Sequence, residues 1–349
     1  MRPIAIGQRI VGPDCPCFVI AEAGVNHNGD LELARRLVDV AAEAGADAVK
    51  FQTFRADRLV SPTAPKASYQ RQTTDAGESQ LEMLQRLELS PAAHRELVAH
   101  CRQRHVTFLS TPFDEESAAL LDSLDVPAFK IGSGEVTNHP FLEYIARKGR
   151  PIILSTGMSY LGEVDEAVRV LRHAGCEQLI LLHCVSNYPA SPADANLRAM
   201  QTMAVAFDLP IGYSDHTPGI EVALAAVALG ACVIEKHFTL DRNLPGPDHR
   251  ASLEPDELRA LIAGVRVVER ALGDGVKRPF PAEADTRAVA RRSLAARADI
   301  PAGTVLQAAM LTALRPASGI PATLIGGVIG RRTRHPLAAG QFVDWSDLE

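Results

Sequence analysis

The chain has 349 residues, of which 46% are hydrophobic, 22% charged and only 5% aromatic, with one Trp, so it is long enough for a large core and is neither disordered nor a disulfide-stapled miniature. A formal charge of −6 offers no field for a phosphate backbone or an anionic bilayer, which argues against nucleic-acid and membrane partners. The longest apolar run, 222–234, falls short of the roughly 20 residues that a spanning helix needs. Met1 to Arg9 lacks the basic and apolar regions of a secretory signal. The cysteines at 15, 17, 101, 176, 184 and 232 form no Cys-x-x-Cys pair, and buried thiols in a reducing cytoplasm are expected.

Along the chain, short apolar runs of β-type alternate with helical patterns. The expected strands are Phe18 to Ala21, Ala48 to Phe51, Val106 to Ser110, Ala128 to Ile131, Ile152 to Ser155, Leu179 to His183, Ile211 to Ser214 and Cys232 to Glu235. They are nearly all apolar, as parallel strands covered on both faces should be. Helices are expected over Asp30 to Ala44, Asp114 to Leu124, Glu163 to His173, Ile220 to Leu229 and Pro255 to Leu272, with Asn28-Gly29-Asp30, Ser90-Pro91 and Glu254-Pro255 as start signals. Consecutive strand and helix pairs of this number predict an α/β fold, a (β/α)8 barrel over residues 1–272, rather than an open doubly wound sheet. No Gly-x-Gly-x-x-Gly follows the first strand, against a dinucleotide site. Residues 273–287, rich in Gly, Pro and charge, read as a linker. Residues 288–349 read as a small β-rich module in which the turns Ile300-Pro301-Ala302-Gly303 and Pro336-Leu337-Ala338-Ala339-Gly340 form a pseudo-repeat.

A barrel places chemistry at the C-terminal ends of its strands, and every expected strand here runs into polar residues. They are Glu22, Lys50, Thr111, Lys130 with Ser133 and Glu135, Ser155, Asn187 with Tyr188, His216 and His237. Each alone has a structural explanation, such as a helix cap for a Ser or Thr. Together they describe a site for a small phosphorylated anion: Lys50 and Lys130, set among apolar neighbours, need an anionic partner, and Thr111, Ser133 and Ser155 can donate to phosphate oxygens. Either lysine could instead serve as a Schiff-base nucleophile. His216 and His237 close neighbouring strands and can share one metal, with Mn²⁺, Fe²⁺ or Mg²⁺ suited in that order.

These motifs resemble the sialic acid synthases, the bacterial N-acetylneuraminate and N,N'-diacetyllegionaminate synthases. The likeness is carried by Asn26-His27-Asn28-Gly29, Lys130-Ile131-Gly132-Ser133-Gly134-Glu135, Gly212-Tyr213-Ser214-Asp215-His216-Thr217 and the run from Glu235 through Arg242 to Pro245-Gly246-Pro247-Asp248-His249-Arg250. The tail, from Arg291 to Arg315-Pro316, resembles the family's antifreeze-like SAF domain. The resemblance implies a metal-dependent condensation of phosphoenolpyruvate with an N-acylated mannose-type sugar, either N-acetylmannosamine or 2,4-diacetamido-2,4,6-trideoxymannose. The products would be a nine-carbon 2-keto sugar acid and phosphate. It implies phosphoenolpyruvate binding by Lys50, Thr111, Lys130, Ser133, Ser155 and Asn187, and metal ligation by His216 and His237. Mn²⁺ is the preferred cofactor, with Mg²⁺ or Co²⁺ as substitutes. Glu22 matches an acid/base carboxylate acting beside Lys50, Lys130 and Glu135. Glu135, Tyr188 and Asp248 match the sugar pocket, as does Arg315, delivered by the SAF domain of the partner in a domain-swapped homodimer. Ala317 stands where Gly commonly follows Arg-Pro. Pro247-Asp248-His249-Arg250 and Ala64 to Gln70 lean toward the legionaminate branch. A Schiff-base aldolase on the same barrel and a non-catalytic carbohydrate-binding protein are the alternatives.

Overall fold

The computed structural model describes residues 1–75 and 77–349, and the side chains of Ser68, Tyr69 and Gln72 are also outside the description, including those two of the Ala64 to Gln70 segment. Two compact units, Met1–Gly273 and Asp274–Glu349, make up the chain.

The first unit opens with a hairpin, β1 (Ile4–Ile6) and β2 (Arg9–Val11), which is not among the expected strands. Eight parallel strands follow: β3 (Phe18–Gly24), β4 (Ala48–Thr53), β5 (Thr107–Pro112), β6 (Phe129–Ile131), β7 (Ile152–Ser155), β8 (Leu179–Cys184), β9 (Ile211–Asp215) and β10 (Val233–His237). Their order is β5-β4-β3-β10-β9-β8-β7-β6, and the end strands β5 and β6 lie alongside each other, so the sheet forms the expected (β/α)8 cylinder. Every expected strand is present, most of them one to three residues longer at the C-terminal end, which draws the polar residues there into the sheet.

Several helices begin where a side chain satisfies free amide groups of the first turn. Asp30 accepts from the amides of Glu32 (2.7 Å) and Leu33 (3.2 Å) ahead of Leu31–Ala44, and Ser90 from Ala93 (3.1 Å) ahead of Pro91–Gln103. Asp114 accepts from Ser117 (2.8 Å) ahead of Glu115–Ser123. The apolar faces of these helices bury against the outer side of the strands, through Leu37, Val38, Leu97 and Leu121 among others.

Inside the cylinder, Phe18, Ile20, Leu109, Ile153, Ile180, Leu182 and Val233 pack together with Ile4, Ile6 and Val11 of the hairpin. The hairpin therefore covers the N-terminal end of the barrel with the same apolar cluster that fills it. The strand ends that carry the buried polar residues lie at the C-terminal end. Among the described residues, no helix is long and apolar enough to cross a membrane.

The second unit pairs β11 (Ser293–Ala296) with β12 (Leu311–Leu314) over a core of Leu294, Ile300, Leu306, Leu311, Ile320, Leu337, Val343 and Leu348. The two pseudo-repeat turns pair with each other: Ile300 and Leu337 exchange both backbone hydrogen bonds, at 2.8 and 2.9 Å. Gly303 (φ 75°) and Gly340 (φ 79°) hold equivalent left-handed corners, which explains the shared Gly. The segment read as a linker contains a helix, Ala284–Ala290, which begins inside it and ends beyond it.

Candidate active site

Parallel strands alternate inward and outward side chains, so each strand end contributes its inward residues to one cavity of about 270 Å³. Glu22, Lys50, Thr111, Lys130, Ser133, Ser155, Tyr188, His216 and His237 all line it. A larger groove of about 890 Å³ opens at the other end of the barrel, but Asp47 there is already held by Arg9 at 2.6 Å and Arg266 at 2.9 Å, and no set of buried charges converges on it. The smaller cavity, where the buried charges converge, is the candidate active site.

Four buried charges form its floor. Lys50 Nζ lies 2.8 Å from Glu22 on β3 and donates to Thr111 Oγ1 on β5 at 3.0 Å. Lys130 Nζ on β6 donates to Ser155 Oγ on β7 at 2.8 Å. Between the two lysines stands Glu235 on β10, its Oε1 at 3.8 Å from Lys50 and 3.6 Å from Lys130, accepting from Ser214 Oγ at 3.2 Å. Burial pushes the Glu22 carboxyl up to about 7, with Lys50 pulling the other way. Burial works against the Lys50 ammonium, yet Glu22 and Glu235 together hold it above the usual lysine value. Lys130 is pushed down by burial, which Glu235 only partly offsets. Burial opposes the Glu235 carboxylate too, but Lys130 and Lys50 keep it below the usual range.

Ser133 sits at the edge of this floor. Its Oγ accepts from the Gly157 amide at 2.9 Å and lies 3.1 Å from Cys184 Sγ. Across the cavity the rings of His216 and His237 are 5.4 Å apart, with Tyr188 4.2 Å from the first and 5.6 Å from the second. His216 Nδ1 donates to the Val185 carbonyl at 2.7 Å, which fixes the tautomer and leaves Nε2 with a lone pair. Buried His237 Nδ1 has no hydrogen-bond partner among the described residues. Burial lowers the basicity of both rings, and for His237 the neighbouring His216 lowers it further. Two neutral imidazoles with free nitrogens are a fitting donor set for one divalent cation. Among the described residues no group of three or more His, Cys, Asp or Glu could hold one, so water or substrate oxygens would complete the coordination.

Other expected residues lie elsewhere. Asn187 is exposed in the loop after β8 and does not line the cavity. Glu135 is half-buried beside it, bonded by Asn138 at 2.7 Å, and burial raises its pKa. Asp248 is buried outside the lining, where desolvation raises its carboxyl to about 6. Arg315 is exposed in the second unit. Conversely, Glu235, Ser214, Gln52, Cys184 and Ser186 line the cavity although none is among the expected site residues. Alternation could have found the first three, since an inward His237, His216 or Lys50 requires an inward residue two positions away.

The chain matches the NeuB family over residues 37–277 and the SAF domain over 291–349. It is 52% identical to the N,N'-diacetyllegionaminic acid synthase of Campylobacter jejuni over 90% of this chain and 95% of that protein. It is 49% identical to the enzyme of the same name from Legionella pneumophila over 97% and 96%. The crystal structure of an N-acetylneuraminic acid synthetase from Leptospira borgpetersenii superposes with a TM-score of 0.74 at 36% identity, covering 82% of this chain and 95% of that one. A (β/α)8 barrel whose strand ends gather two lysines, two carboxylates and two histidines, followed by a SAF domain, thus belongs to the NeuB family of sialic- and legionaminic-acid synthases.

Proposed function

We propose that the protein condenses phosphoenolpyruvate with 2,4-diacetamido-2,4,6-trideoxymannose and water, giving N,N'-diacetyllegionaminate and phosphate. The observation that carries this reading is one small cavity holding an anion-binding floor, Lys50, Lys130, Thr111 and Ser155, opposite two neutral imidazoles. The choice of sugar is supported by the two legionaminic acid synthases to which the chain is 52% and 49% identical.

Carbon 3 of phosphoenolpyruvate bonds to the aldehyde carbon, water adds at carbon 2, and the carbon–oxygen bond to phosphate then breaks, with no net redox change. Lys130, Ser133 and Ser155 would seat the phosphate, and Lys50 with Thr111 the carboxylate, by charge-assisted hydrogen bonds. Glu22, with a pKa of about 7, is matched to taking a proton from the attacking water near neutral pH. His216 and His237 would hold a divalent cation, Mn²⁺ first among the candidates, which when bound supplies Lewis-acid polarisation of the aldehyde oxygen. Glu135, Tyr188 and Asp248 would line the sugar's path. Arg315 would enter from the SAF domain of a partner subunit in a domain-swapped homodimer, with Asn187 brought to the phosphate on closure. A cytoplasmic setting goes with this reading.

The depressed basicity of Lys130 favours one rival, a Schiff-base aldolase on the same floor. Borohydride treatment in the presence of pyruvate separates the two. The synthase leaves Lys130 unmodified and releases phosphate from phosphoenolpyruvate only when sugar and metal are present; a reduced pyruvyl adduct on Lys130 sinks the proposal.

A further inference from the structure

Behind His216 and His237, on the outward side of the sheet, lies a second pair of charges that does not line the cavity. Asp215 and Lys236 face each other in the β9–β10 register, as the last pair of that ladder, and their side chains are joined at 2.7 Å. Both are sealed from solvent, 0% and 1% exposed. The pair also grips the residue after His216. Asp215 Oδ1 accepts from the Thr217 amide at 2.9 Å and from its hydroxyl at 2.8 Å, while Lys236 Nζ donates to the Thr217 carbonyl. Glu221 and Glu257, on the helices Glu221–Ala228 and Pro255–Leu272, act on Lys236 through their charge, but Asp215 is its bonded carboxylate.

We infer that the Asp215–Lys236 ion pair is a positioning device that sets the separation and tilt of the two imidazoles. Together with the reading of His216 and His237 as metal ligands, on which this rests, it sets the affinity of the site for a divalent cation. A buried ion pair of this kind is poor value as a source of stability, because removing two charges from water offsets most of their attraction. Its best-attested use is to fix register, and here the register fixed is that of two adjacent strands whose next inward residues are His216 and His237. With Asp215 tied to Lys236 across the ladder and Thr217 tied to both, the backbone around His216 cannot rotate without breaking several buried hydrogen bonds. The Val185 carbonyl then orients the ring itself. Groups standing behind metal ligands in this way ordinarily influence affinity by about 10- to 100-fold.

The test is Mn²⁺ titration of metal-free full-length protein by calorimetry, with thermal melting and phosphoenolpyruvate binding measured on the same samples. The double variant Asp215→Asn/Lys236→Met removes both charges and keeps an acceptor for Thr217. It is expected to melt within a few degrees of wild type and to bind phosphoenolpyruvate as wild type does, while its Mn²⁺ Kd rises by about 10- to 100-fold. Thr217→Val, which removes one hydroxyl and conserves volume, covers the case in which the double variant does not fold, and should weaken Mn²⁺ binding in the same sense. Folded variants with wild-type Mn²⁺ affinity overturn the inference and leave the histidines' role intact. Wild-type protein that binds no Mn²⁺ overturns the metal reading and this inference with it.

Discussion

Gly157 gives the sharpest test of the proposed anion-binding floor. It follows β7 with a backbone outside the left-handed region, so any side chain there is opposed by space alone. A Cβ built on it would lie 2.3 Å from Ser186 Oγ, 2.8 Å from Cys184 Sγ and 3.0 Å from Ser133 Oγ, all three of them cavity-lining residues. Since non-bonded heavy atoms settle at about 3.5–4.0 Å, Gly157→Ala must push Ser186 away by roughly 1 Å and Ser133 by roughly half that. The Gly157 amide at 2.9 Å would no longer orient the Ser133 hydroxyl. Losing one hydrogen bond to a charged phosphate costs about 1.5–3 kcal/mol, which corresponds to roughly 10- to 150-fold in affinity. Phosphate release at saturating sugar should therefore show KM for phosphoenolpyruvate raised by about that factor, with the melting temperature little changed because the displaced atoms are side-chain tips at a cavity wall. A folded Gly157→Ala protein with unchanged KM for phosphoenolpyruvate would refute the placement of phosphate at Ser133.

Glu235→Gln leaves Lys130 and Lys50 without their shared carboxylate, and breaking a buried pair of this kind lowers stability by about 3–5 kcal/mol in urea unfolding. Phosphoenolpyruvate should then raise the melting temperature of the variant more than that of wild type, and equal shifts would contradict the charge assignment. Asp248 keeps its proton up to pH about 6 when folded but only to 3.8 when unfolded. The stability provided by the neutral group is thus complete below pH 3.8 and lost as pH rises through 6. Asp248→Asn should be more stable than wild type at pH 8, by up to about 3 kcal/mol, and no more stable at pH 3.5; a pH-independent difference would exclude this origin. If Arg315 acts in the partner's barrel, co-expressing Arg315→Ala with Glu22→Gln should recover activity that neither variant shows alone, and no recovery would place Arg315 within its own subunit or outside the site.

The barrel was legible because buried parallel strands leave an unambiguous trace, apolar runs at regular intervals with polar residues at one end. The hairpin was not, since Ile4–Ile6 and Arg9–Val11 are three residues each and join at Gly7, a pattern too short to register. The helix Ala284–Ala290 was hidden for a different reason: it buries no residue, so it has no apolar face to display as periodicity. In the site, Lys50, Lys130 and His237 are legible as polar residues at strand ends, whereas Glu235, the last residue of the run Cys232 to Glu235, gains its importance only because two strands distant in sequence bring the lysines to it. The orphaned His237 Nδ1 and the tautomer of His216 are facts of three-dimensional neighbourhood, which spacing does not carry.

The decisive measurement supplies phosphoenolpyruvate and Mn²⁺ with each of two sugars, 2,4-diacetamido-2,4,6-trideoxymannose and N-acetylmannosamine, and reads kcat/KM for phosphate release alongside the mass of the product. Stoichiometric phosphate and a nine-carbon 2-keto acid are expected, with kcat/KM higher for the diacetamido sugar by about 10-fold or more, as a few changed contacts can produce. A preference for N-acetylmannosamine would contradict the choice of sugar, and no sugar-dependent phosphate release with either would contradict the condensation itself.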